Sequence, residues 1–122
     1  MTTVGAPKWN SESGGNDRTD QGAVEVVALV GEIDIETEPD ARAALGAALR
    51  SGRSVVLDLS GVTFADSTAL NLLLWASRKK VHLAGPLVPQ LQRLLEIAGL
   101  GEFLSLHPAV SDALDAAAED PT

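Results

Sequence analysis

From Gly22 to Ala118, short β-branched runs alternate with stretches whose apolar residues recur every three or four positions, an order few folds accept. Ala23–Val30 is dense in valine and reads as a strand, with Gly31-Glu32-Ile33-Asp34 at its exit. Thr37-Glu38-Pro39-Asp40 is a helix-start signal, with Thr37 as N-cap and Asp40 in the first turn. Ala41, Ala44, Leu45, Ala48 and Leu49 then follow one helical face, and Gly52 closes the helix. Ser54–Leu59 predicts a central strand, apolar on both faces in its first half, and Ser60-Gly61 a turn.

Phe64-Ala65-Asp66-Ser67 leads into a helix ending near Lys79. Leu70, Leu73, Leu74 and Ser77 line one side of it, with an apolar flank of Leu72, Trp75 and Ala76. Val81–Ala84 is a short strand. Leu91, Leu94, Leu95 and Ala98 form the next helical stripe, stopped by Gly99 with Leu100 as its hydrophobic cap partner. Phe103–Leu106 is expected as a last strand. Pro108 is expected to open a final helix, with Val110, Ala113, Leu114 and Ala117 inward and Asp112, Asp115 and Glu119 outward.

This alternation predicts an α/β fold: a mainly parallel mixed sheet of four to five strands packed with about four α-helices, joined by right-handed crossovers. The length of 122 residues fits one domain. Aromatics are only 3%, so the core must be built from Leu, Val, Ile and Ala. Residues 1–21, rich in Gly, Ser, Thr, Asn and Asp, read as a flexible lead-in. A weak edge strand is expected near Trp9, which reads as a packing anchor. Residues 22–118 form the expected domain and 119–122 a tail.

A formal net charge of −8 argues against nucleic acid, which is held by clustered Lys and Arg. Arg78-Lys79-Lys80 reads instead as a solvated helix end favoured by the dipole. An acidic domain is suited to a basic protein surface. With no cysteine, disulfides and thiolate metal sites are excluded. No basic segment followed by an apolar run marks a signal peptide, and Ala69–Ala76 falls far short of the roughly 20 residues that span a bilayer. The chain is expected to be cytoplasmic, with no membrane contact. Asp34, Glu36, Glu38 and Asp40 lack the D-x-D-x-D-G calcium pattern, and there is no phosphate-binding G-x-x-x-x-G-K-[ST]. Neither a metal nor a cofactor is expected.

Ser67 stands where a strand-and-loop segment becomes a helix, a place where free N–H groups and the dipole favour negative charge. On the structural reading, Asp66 or Ser67 is simply the N-cap. A serine on such a turn could also be a hydrolase nucleophile, but that elbow requires G-x-S-x-G. Here the frame is Ala65-Asp66-Ser67-Thr68-Ala69, and the base would have to be His82 or His107, each better read as an edge or capping residue. The chain is therefore expected not to be an enzyme.

Taken together, Gly31-Glu32-Ile33-Asp34 after a strand, Val56-Leu57-Asp58-Leu59-Ser60-Gly61-Val62, Asp66-Ser67-Thr68-Ala69-Leu70 and Leu94-Leu95-Glu96-Ile97-Ala98-Gly99-Leu100 resemble the STAS domain, and more narrowly the bacterial anti-sigma factor antagonists. The resemblance covers about Gly22 to Ala118. It implies a protein-binding switch that regulates transcription indirectly. An anti-sigma factor with serine kinase activity would be both partner and modifying enzyme. The unphosphorylated domain would bind it and free a sigma factor, phosphorylation of Ser67 would end binding, and a serine phosphatase would restore it. The resemblance also implies partner contacts at Asp34, Asp66, Thr68 and Ala69. Ala69 stands where the family usually has glycine, and Arg78-Lys79-Lys80 runs into Val81 without the usual glycine-containing loop. The alternative is a STAS scaffold subunit of a transport or stress-sensing complex, with a standing interface favoured by the flank of Leu72, Trp75 and Ala76.

Overall fold

The structure is a computed structural model that describes residues 2–5 and 24–119. Strand β1 (Thr2–Gly5) is followed by β2 (Val24–Ile33), α1 (Glu38–Leu49), β3 (Ser54–Ala65) and α2 (Ser67–Arg78). Then come β4 (His82–Ala84), α3 (Pro89–Ala98), a 3₁₀ turn (Gly101–Phe103), β5 (Leu106–His107) and α4 (Val110–Glu119). The five strands lie in chain order, and every pairing is parallel. The expected four to five strands are five among the described residues, and the pairings described there are all parallel. The lead-in supplies β1 as an edge strand at Thr2–Gly5, while the strand expected near Trp9 lies outside the described residues.

Helices α1, α2 and α3 cover one face of the sheet. Their Ala41, Leu45, Ala48, Leu72, Leu73, Leu91 and Leu95 close over Val27, Leu29, Leu57, Leu59 and Leu83. Helix α4 covers part of the other face, where Ala113 and Ala117 meet Val56 and Ala84. The first half of β3 is therefore buried on both sides, as its continuous apolar run requires. With so few aromatics, cohesion comes from many close aliphatic contacts. Truncating a fully buried leucine such as Leu57 costs about 2–5 kcal/mol in cores of this kind.

Two strands run longer than their sequences suggest. Strand β2 continues through Gly31 to Ile33, and β3 continues through Ser60-Gly61, where a turn is expected, to Ala65. Pairing shifts between Ala28 and Val30 and again between Gly31 and Glu32, each time with one extra residue on β3. The inward residues of β3 are Val55, Leu57, Leu59, Val62 and Ala65, so the spacing of two becomes three at both bulges. A broken alternation of this kind imitates a turn.

Helix α2 also presents a different face from the expected one. Its buried residues are Ala69, Leu72, Leu73 and Ala76, whereas Leu70, Leu74 and Ser77 are only half-buried. The flank that favoured a standing interface is thus largely core. Trp75 is half-buried, with the Arg42 guanidinium 4.9 Å above its ring. Three smaller expectations also change. Ala98 is exposed, Phe103 lies in the 3₁₀ turn before a two-residue β5, and Pro108 precedes the first turn of α4 instead of opening it.

The missing loop before β4 is resolved by a tight helix end. Lys80 adopts φ 65°, its N–H donates to Ser77 O, and the Val81 N–H donates to Ala76 O. This is a glycine-type helix stop occupied by lysine. A left-handed backbone costs a side-chain-bearing residue roughly 1–2 kcal/mol, partly offset by the greater unfolded freedom of glycine. Lys80→Gly should therefore stabilise the protein by about 0.5–1 kcal/mol in urea unfolding, while Lys80→Ala should be close to neutral. An equal gain in both variants would assign the effect to charge instead.

Candidate functional site

The residues around Ser67 are set by the ends of β2 and β3. The Asp66 N–H donates to Ile33 O at 3.2 Å, joining the exit of β3 to that of β2. The Asp34 loop and the Asp66–Thr68 turn therefore lie side by side at one end of the sheet. Asp66 is the N-cap of α2: its backbone is extended, and its carboxylate accepts from the Thr68 N–H at 2.8 Å. With the cap filled by Asp66, Ser67 is the first helical residue. It is exposed, and its hydroxyl makes no hydrogen bond among the described residues.

Asp34 has a structural task of its own. Its carboxylate accepts from the N–H groups of Glu36 (3.0 Å) and Thr37 (3.1 Å), and its N–H donates to Thr37 Oγ1 at 2.9 Å. Thr37 Oγ1 in turn donates to Glu32 O at 2.7 Å. Thr37 thus occupies the N-cap position of α1 but ties the loop back to β2 and makes no side-chain cap. Glu38 pairs with Arg42 at 2.6 Å. Among the described residues, no group of three or more His, Asp or Glu side chains is placed to hold a metal ion.

Thr68 is half-buried, whereas Ala69 is only 3% exposed, with its methyl in the core beneath α2. Ala69 therefore offers no side chain to a partner. What it controls is how closely the first turn of α2 approaches the sheet.

Gln90, in the first turn of α3, is a positioning residue that sequence reasoning missed. Its Oε1 accepts from the Ala65 N–H at 2.9 Å, and its Nε2 donates to Ala65 O at 2.7 Å. Among the described residues β4 pairs with β3 at Val56–Asp58 alone, and none supplies a strand beside the far end of β3 on that side. The carboxamide there does the work of a neighbouring peptide group, two residues before Ser67. The signal lies 25 positions away along the chain, and no local pattern carries it.

His82 Nδ1 and His107 Nε2 lie 3.2 Å apart on adjacent strands. His82 is beside Val56 in the register and His107 is beside Ala84, itself opposite Asp58. Ser67 lies beyond the other end of β3. At roughly 3.3 Å per strand residue, both rings are on the order of 20 Å or more from it. No His base faces the serine, which removes the hydrolase geometry.

The family pattern described as "Mlab, STAS domain" matches residues 17–108. The chain belongs to the STAS domain family. An anti-sigma F factor antagonist of Lysinibacillus sphaericus is 28% identical over 86 residues, 65% of this STAS chain and 74% of the relative. The crystal structure of an anti-sigma factor antagonist from Mycobacterium paratuberculosis superimposes with a TM-score of 0.70 at 32% identity, covering 81% of this chain and 89% of that one. The anti-sigma factor antagonist SpoIIAA, in its unphosphorylated form, shares the fold with a TM-score of 0.62 at 22% identity, covering 76% and 86%. No helix among the described residues of the STAS domain is long and apolar enough to cross a membrane.

Asp66 and Ser67 should separate cleanly in stability. Asp66→Ala removes the cap and is expected to cost about 1 kcal/mol in urea unfolding, whereas Ser67→Ala should change it by no more than about 0.3 kcal/mol. Gln90→Ala should speed amide hydrogen exchange at Ala65 and cost roughly 1–2 kcal/mol. Unchanged exchange at Ala65 would show that the carboxamide does not hold the strand end.

Proposed function

We propose that this STAS domain is an anti-sigma factor antagonist that works by binding and not by catalysis. Its partner is an anti-sigma factor with serine kinase activity, which phosphorylates Ser67 in the cytoplasm, and a serine phosphatase reverses the modification. The observation that carries this reading is an exposed serine at the first position of a helix whose cap is already supplied by Asp66. The hydroxyl is thus accessible to another protein and not required by the fold. Antagonist relatives at 28% and 32% identity support the same role.

The electrostatics suit a switch. A phosphate adds about −1.5 to −2 charges and three acceptor oxygens. At the start of α2 the free N–H groups and the dipole favour that charge, so the domain itself should tolerate it. Repulsion falls on acidic groups of a docked partner, and within the domain on Asp66. Asp34, Asp66 and Thr68 are proposed contacts around the modified group, while Ala69 acts only through the depth of the helix. The scaffold alternative loses its support, since Leu72 and Ala76 are core residues.

Incubation with candidate serine-kinase anti-sigma factors and ATP, followed by mass spectrometry, tests the reading. Phosphate is expected on Ser67 and nowhere in Ser67→Ala. Ser67→Asp should weaken partner binding by roughly tenfold or more while moving the melting temperature by less than about 2 °C. Tight binding that leaves Ser67 unmodified and ignores ATP would instead indicate a constitutive interface.

A further inference from the structure

We infer that the half of the outer sheet face that α4 and the other described residues leave open, formed by Val30 and Phe64 with Ile35 beside them, is a second contact for the same partner. The partner meets it with an apolar projection ringed by lysine and arginine. This inference rests on the antagonist reading above.

Helix α4 covers only the part of that face built from Val24, Val26, Val56 and Ala84. Beyond it, Val30 and Glu32 alternate outward along β2, and Phe64 is the register partner of Glu32 on β3. Val30 is 42% exposed, Phe64 43% and Ile35 75%, so three large apolar side chains meet solvent at the end of the sheet that carries Ser67. Gly61 keeps the surface low between them. A Cβ there would stand 3.0 Å from Leu29 O and 3.1 Å from Val30 Cγ2. An apolar centre with a charged rim is the usual anatomy of a protein-binding patch.

The sign of the rim selects the occupant. Among the described residues Glu32, Asp34 and Glu36 border the patch, and residues 24–41 and 54–77 contain no lysine or arginine. Anionic lipid and nucleic acid would be repelled, and a second copy of this chain would bring two acidic rims together. A protein surface with basic residues around an apolar centre is attracted instead. In such an interface the rim charges set association and the buried apolar groups set dissociation. Phe64 lies three residues before Ser67, so apolar anchoring and the phosphate switch would act on one docked surface through different residues.

Surface plasmon resonance of the full chain against the purified anti-sigma factor it binds tests this. Phe64→Ser and Ile35→Ser should each speed dissociation roughly tenfold, while Glu32→Lys with Glu36→Lys should slow association severalfold and flatten its salt dependence. Ile35 is in a loop, so that variant remains informative if Phe64→Ser unfolds. Unchanged dissociation with intact binding would overturn the inference and leave the antagonist reading standing. So would sedimentation showing a wild-type dimer that Ile35→Ser dissociates. If the wild-type chain bound no anti-sigma factor, both would fall together.

Discussion

The parallel pairing of β2 with β3 fixes where everything else in this domain can go. The two strands share nine register pairs, and β3 absorbs two extra residues without leaving the sheet. Those bulges bring Ala65 opposite Ile33, so the Asp66 N–H reaches Ile33 O and the two strand exits become one surface. Without them Val62 and Ala65 could not both point into the core, because a slip of one residue reverses a strand's faces. The close approach at Gly61 is part of the same arrangement, since a side chain there would meet backbone that cannot yield.

Given that frame, the start of α2 divides its tasks among adjacent residues. Asp66 satisfies the helix end, Ala69 sets the helix against the sheet, and Gln90 holds the strand that delivers them. Among the described residues Ser67 is left with no hydrogen bond to its hydroxyl and is exposed. Asp34 is the opposite case. Its carboxylate is committed to its own loop, so whatever it offers a partner comes from a preorganised position. The separation between residues that hold this end of the sheet and one that is exposed without a hydrogen bond among the described residues follows from hydrogen-bond accounting, independently of the family to which the chain belongs.

Charge is distributed with similar economy. The acidic residues dominate the end of the sheet that carries Ser67, while Arg78, Lys79 and Lys80 sit at the opposite end of α2. The dipole of α2 is thereby matched by a carboxylate at its N-terminus and by cations at its C-terminus. The cationic end also contains the lysine with left-handed backbone that replaces a glycine-containing loop, a local cost accepted to bring the chain straight into β4.

The sequence by itself determined the alternation of strands and helices, the stripe of α1, the glycine stop at Gly99 and the acid-serine step at the start of α2. Each of these is written in residues within a turn or two of one another, where propensity, capping and periodicity act. Tertiary structure decided the rest. It chose Ala69, Leu72, Leu73 and Ala76 as the buried face of a helix that is apolar nearly all round, because small residues there let α2 approach the sheet. It carried β3 past Ser60-Gly61, since a bulge is stable only against the partner strand that accommodates it. It assigned the cap to Asp66 over Ser67, and it recruited Gln90 from 25 residues away to complete a strand edge. Contacts of that range depend on which segments meet in space, and local sequence chemistry has no means of specifying them alone.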